Sequence, residues 1–132
     1  MLEFFIPMKL PTTTAQEQKT GVAKDGKPYK YDPPELKAAR ALFRDHLAKF
    51  APPAPISGPI KLQTIWCYPC NSTHPEPAWK TTKPDTDNMV KLLKDVMTKL
   101  GFWHDDAQVA LEIIQKIWDN RSGLYVSVEA LA

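Results

Sequence analysis

The chain has 132 residues, 43% of them hydrophobic, and sets 17 basic against 15 acidic side chains for a formal net charge of +2. That length fits one domain over residues 1–132, and the apolar share excludes wholesale disorder. No apolar run approaches the roughly 20 residues of a membrane span, and a pI near 8.5 is too mild for total charge to signal nucleic-acid binding, so charge placement must decide.

From Met1 to Met8 a short apolar run reads as a strand broken by Pro7. From Lys9 to Tyr31 the sequence turns polar, with Gly21, Gly26 and the scattered Lys9, Lys19, Lys24, Lys27 and Lys30, and reads as a long loop or loose hairpin. Asp32-Pro33-Pro34-Glu35 is a helix start, with Asp32 expected as the N-cap. Leu36, Ala39, Phe43, Leu47 and Phe50 then recur at helical spacing as far as Ala51, while Lys37, Arg40 and Arg44 lie on another face. From Pro59 to Tyr68 the alternation of a half-buried strand puts Ile60, Leu62, Thr64, Trp66 and Tyr68 on one side.

From Asn71 to Lys83 a second irregular loop follows. A helix is then predicted from about Asp87 to Leu100, its apolar face formed by Met89, Val90, Leu93, Val96, Met97 and Leu100, with Gly101 after it as C-cap. A strand from Gln108 to Trp118, a turn through Gly123 and a last strand from Leu124 to Leu131 complete the chain. The expected fold is α/β (α+β): a two-layer sandwich, with a small mixed sheet, two main helices on one side and an antiparallel C-terminal hairpin.

The segment Lys83-Pro84-Asp85-Thr86-Asp87-Asn88, with Lys91 and then Asp105-Asp106, carries the chemistry. Pro84 keeps Lys83 out of helical geometry, so the chain enters extended, and an extended run points Asp85 and Asp87 to one side. Lys91 lies one helical turn beyond Asp87. A return through Gly101 offers a way to bring Asp105 and Asp106 beside them. Converging carboxylates repel, and a hard cation such as Mg²⁺ relieves that repulsion. Spacing alone leaves a second reading open, in which Asp87 caps a helix and Asp105-Asp106 form a plain turn.

The ordered whole resembles the RusA family of Holliday-junction resolvases: Lys83-Pro84-Asp85-Thr86-Asp87-Asn88-Met89-Val90-Lys91, then Asp95 and Gly101, then Asp105-Asp106-Ala107-Gln108-Val109 and Lys116. The family pattern is a Pro-Asp-x-Asp-Asn-x-x-Lys segment approaching a helix, then Asp-Asp-x-Gln-Val opening a strand. The resemblance is close over residues 83–118. It implies a homodimer that binds four-way DNA junctions and nicks two strands symmetrically with Mg²⁺ or Mn²⁺. By position it implies Asp85, Asp87 and Asp106 as catalytic, metal-binding aspartates, Asp105 as an assisting ligand and Lys91 as an essential lysine. Pro11-Thr12-Thr13-Thr14-Ala15-Gln16 departs from the more basic pattern that many relatives carry after the first strand.

Lys24, Lys27, Lys30, Lys80, Lys83, Lys116 and the loop residue Trp79 are the DNA-binding candidates, with Trp66 and Trp118 expected in the core. Phe102 and Trp103, with the helix before them, are candidates to cover a subunit interface. Cys67-x2-Cys70 with His74 and His104 makes only half a zinc pattern, and free thiols are expected. With no leader and two cysteines, a cytoplasmic setting in a bacterium or phage-infected cell is expected, with no membrane partner. Within nucleases the alternative substrates are forks and flaps. From another class, the alternative is a branched-DNA-binding module without activity.

Overall fold

The computed structural model describes residues 1–12 and 19–132, so most of the stretch from Pro11 to Gln16 lies outside the described residues. The elements are β1 (Leu2–Pro7), β2 (Lys19–Val22), β3 (Pro28–Tyr31), α1 (Pro34–Leu47), β4 (Ile60–Pro69), β5 (Ala78–Trp79), α2 (Thr86–Lys99), β6 (Val109–Asp119) and β7 (Gly123–Ala130). Short 3₁₀ turns cover Ala48–Phe50 and Asp106–Gln108. Among the described residues no helix is long and apolar enough to cross a membrane.

Strand alternation builds the core. The even-numbered residues of β4, Ile60 to Tyr68, are all buried, and the register carries the same face across to Val126 and Val128 of β7 and Phe4 and Ile6 of β1. Onto that face α1 lowers Leu36, Ala39, Phe43 and Leu47, and α2 lowers Met89, Val90, Leu93 and Met97. Each large side chain so buried contributes about 1.5–3 kcal/mol. The expected sandwich is therefore present, with a mixed sheet on one side and two helices on the other.

Its topology corrects the C-terminal hairpin. The five-stranded order is β1-β7-β4-β6-β5: β4 lies between β6 and β7, parallel to the first and antiparallel to the second. A direct β6–β7 hairpin would leave β4, the most deeply buried strand, at an edge. Placing it centrally pairs both of its sides instead.

Two smaller expectations also change. Asp32 does not cap α1: Pro33 holds that position, and the Asp32 carboxylate accepts Arg40 Nε at 2.6 Å. Phe102 and Trp103 do not cover a subunit interface, because both are fully buried within this chain's own core. The turn after α2 drives them inward. Gly101 takes φ 83°, its N–H reaches Thr98 O and the Phe102 N–H reaches Met97 O, which is a Schellman ending.

The polar stretch near the N-terminus forms a separate hairpin, with β2 paired to β3. Lys24, Lys27 and Lys30 are exposed on it, as are Tyr29 and Tyr31.

Candidate active site

The chain enters α2 through a cis Lys83–Pro84 bond. Asp85 holds the N-cap position, and its carbonyl accepts the Met89 N–H at 3.1 Å, but its carboxylate makes no capping hydrogen bond. Thr86 opens the helix, so the extended run ends at Asp85 and Asp87 belongs to the first helical turn. Both carboxylates are exposed, and neither has a hydrogen bond or ion pair among the described residues. Lys91, also exposed, follows Asp87 by one turn.

The approach to this acid pair is pinned to β6. Lys116 Nζ donates to the carbonyls of Thr82 (2.5 Å) and Pro84 (2.7 Å), and the Lys80 N–H donates to Lys116 O at 3.1 Å. Two neighbours at the end of β5, itself only two residues long, face opposite ways. Trp79 is 67% exposed, whereas Lys80 turns inward and is 7% exposed. The Lys80 ammonium lies 4.1 Å from the centre of the Trp118 ring and donates to Thr82 Oγ1 at 2.5 Å. Burial, and then the Lys116 charge, hold it below the usual lysine pKa. Lys83 remains exposed.

At the far end of α2 the second acid pair is held differently. Asp105 Oδ1 accepts the Ala107 N–H, and Gln108 Oε1 accepts the Asp105 and His104 N–H groups, completing a capping box. Gln108 Nε2 then donates to the carbonyls of Ile56 and Gly58, 2.9 Å from each. Gln108 thus fastens the acid turn to the loop before β4. Asp106 borders an open groove of about 360 Å³ with Arg40, Asp95, Thr98 and Lys99. Burial pushes its carboxyl pKa up, helped by hydrogen bonding with Asp105 and opposed by Lys94.

The return through Gly101 sets Asp106 against the later turns of α2. Asp106 sits near Asp95 and Thr98, which lie eight and eleven helical residues beyond Asp87, about 12 to 16 Å of rise. Among the described residues no group of three or more His, Cys, Asp or Glu side chains is placed to hold a metal ion. The half-zinc pattern does not assemble either: Cys67 is buried, and His74 stacks on Trp118. Asp85 and Asp87 alone fit an ion such as Mg²⁺, which takes one or two carboxylates plus water and phosphate oxygens.

The family model for endodeoxyribonuclease RusA matches residues 10–129. The chain belongs to that family. It is also 33% identical over 70 residues to a protein of Lactococcus phage r1t described as a crossover junction endodeoxyribonuclease rusA. That match spans 53% of this chain and 53% of the phage protein, so the chain covers about half the length of that relative. Within the RusA pattern, the Asp-Asp-x-Gln-Val glutamine now has a physical role as the anchor of the acid turn. Sequence reasoning named Gln108 only as a motif residue, without a role, and noted Arg40 only as a polar-face residue of α1. Lys99 of the Asp106 groove was also missed, since cations on separate helices carry no shared spacing.

Proposed function

We propose that the protein is a divalent-metal-dependent endodeoxyribonuclease that resolves four-way DNA junctions by paired, symmetric nicks and works as a homodimer. The observation that carries this reading is the partnerless Asp85–Asp87 pair on the positive end of α2, with Lys91 one turn away. Solvent-facing carboxylates without partners, on an approach pinned from below, are suited to holding Mg²⁺ or Mn²⁺. When bound, such an ion supplies a polarised water and charge stabilisation for phosphodiester hydrolysis. The chain's own groups orient the rest. Lys91 offers positive charge beside the acids, and Lys83 and Trp79 face outward to meet phosphate and an unstacked base. The hairpin lysines Lys24, Lys27 and Lys30 offer further exposed cations for phosphate.

Dimerisation explains how Asp106 joins the site. β5 covers only Ile117 and Trp118 of β6, so its outer edge along residues 109–116 has no strand partner among the described residues. Leu111 (45% exposed) and Ile113 (37% exposed) lie on this strand. A long apolar open edge favours pairing with another chain. Two such edges paired antiparallel across a two-fold axis would set the Val109 end of one strand against the Lys116 end of the other. Lys116 anchors the approach to Asp85. Asp106, just before Val109, is thereby brought toward the partner's acid pair, although about 23 Å of strand separates the two ends within one chain.

The test is incubation with a synthetic immobile four-way junction and with linear duplex in Mg²⁺, with Asp85→Asn alongside. Paired nicks confined to the junction and lost in the variant are expected. Equal cutting of duplex, cutting confined to forks or flaps, or junction binding without cutting contradicts the reading.

A further inference from the structure

Lys116 had two roles open to it, and the geometry favours the less obvious one. A lysine that binds phosphate keeps its ammonium in solvent, ready for DNA. The Lys116 ammonium instead spends two of its three protons on protein carbonyls, those of Thr82 and Pro84. The Pro84 carbonyl matters most. It shares one rigid peptide plane with the Asp85 nitrogen and Cα, so fixing that oxygen fixes where Asp85 begins. The φ and ψ of Asp85 and its two side-chain torsions then remain, and the helix hydrogen bond from Met89 to the Asp85 carbonyl constrains the backbone pair. The carboxylate is left unused by the helix it precedes.

A second cation completes the arrangement. The Lys80 N–H bonds the Lys116 carbonyl, and the Lys80 ammonium bonds the Thr82 hydroxyl from beneath while resting on the Trp118 and Tyr68 rings. Two like charges lie close together under one six-residue approach, and both are directed at its polar atoms. DNA binding does not require that arrangement.

We propose that Lys116, supported by Lys80, is a positioning residue for the metal-holding acids: it fixes the chain entering α2 so that the Asp85 carboxylate points into the site. This rests on the reading of Asp85 and Asp87 as metal-holding groups. Outer groups that orient metal ligands commonly contribute about 10–100-fold to metal affinity when removed.

Two measurements on the full chain separate positioning from phosphate contact. The first is the rise in Tm as Mg²⁺ is titrated without DNA, with Asp85→Asn as the control that should show no rise. The second is junction affinity in EDTA across a range of salt. For Lys116→Met the Mg²⁺ midpoint should move up about tenfold or more. Junction affinity and the slope of log affinity against log salt should not change. An unchanged midpoint with a slope smaller by about one unit would make Lys116 a phosphate contact and overturn the proposal.

If Lys116→Met gives no cooperative melt, Lys116→Arg decides. It keeps the charge but presents a planar fork, so a raised Mg²⁺ midpoint at constant salt slope supports positioning, and an unchanged midpoint overturns it. A wild-type protein with no Mg²⁺-induced rise contradicts the metal reading and this proposal together. One that takes up Mg²⁺ but leaves junctions uncut refutes junction resolution alone, and the Lys116 comparison still stands on the titration.

Discussion

The two ends of α2 carry equal numbers of adjacent acids, and the chain treats them in opposite ways. At the start, Asp85 and Asp87 are exposed, with no hydrogen bond or ion pair to their carboxylates among the described residues. Beyond the end, one carboxylate of the Asp105–Asp106 pair is consumed by a capping box, and the other sits half-buried beside cations with its pKa raised. Acid count therefore says little about function. What distinguishes the pairs is whether the protein already uses the lone pairs that a metal would need.

Substitutions at the two ends sharpen that contrast. The largest effect is expected at the open end. Asp87→Asn should reduce junction cleavage about 10²–10³-fold while leaving Tm within a degree or two. Asp105→Asn should retain most activity, because an asparagine oxygen still accepts the Ala107 N–H. Equal losses in a side-by-side cleavage assay would erase the distinction and make Asp105 a ligand.

Gln108→Ala comes next. It leaves the carbonyls of Ile56 and Gly58 and two backbone N–H groups without their partner, and should destabilise the fold by about 1–3 kcal/mol in denaturant melts. A smaller effect is expected on the outer surface. Trp79→Ala should weaken junction binding by about 1–3 kcal/mol without altering Tm, read by gel shift in EDTA.

The smallest is a stability effect of opposite sign. Burial raises the Asp106 pKa in the folded chain, so its ionised form costs stability. That cost is absent below the ordinary carboxylate range and appears as pH rises through the raised folded value. Asp106→Asn should therefore melt higher than wild type at pH 7 and 8, with the advantage vanishing near pH 3 while cleavage is lost throughout. A variant that melts lower than wild type at pH 8 would mean the charged carboxylate is stabilised where it sits.

How far the sequence could be read depended on whether the deciding interaction was local. The stripe Leu36, Ala39, Phe43, Leu47 and the alternation from Ile60 to Tyr68 predicted their burial because period and face are set within a few residues. The pairing of β7 with β4 rather than β6 was hidden, since strand partners are chosen across the whole sheet. Lys80 was hidden for the opposite reason: it follows a strand of two residues, too short to set a period that would show it turning inward. A helix opening beside Asp85 and Asp87 was legible, but the placement of Asp106 along that helix was not. The turn at Gly101 gave the reversal, whereas the offset depended on helix length and on the strand that follows.

A mixing experiment tests most directly whether the two acid pairs cooperate between subunits. Asp85→Asn and Asp106→Asn, each inactive alone, are combined, dissociated in mild denaturant and reassociated, then given a four-way junction and Mg²⁺. A site that draws Asp85 and Asp87 from one chain and Asp106 from its partner leaves one intact centre in every mixed dimer, so single-strand nicking should return. No recovery, although mixed dimers form as shown by a tagged subunit, would mean that each site is built within one chain and would contradict the shared site.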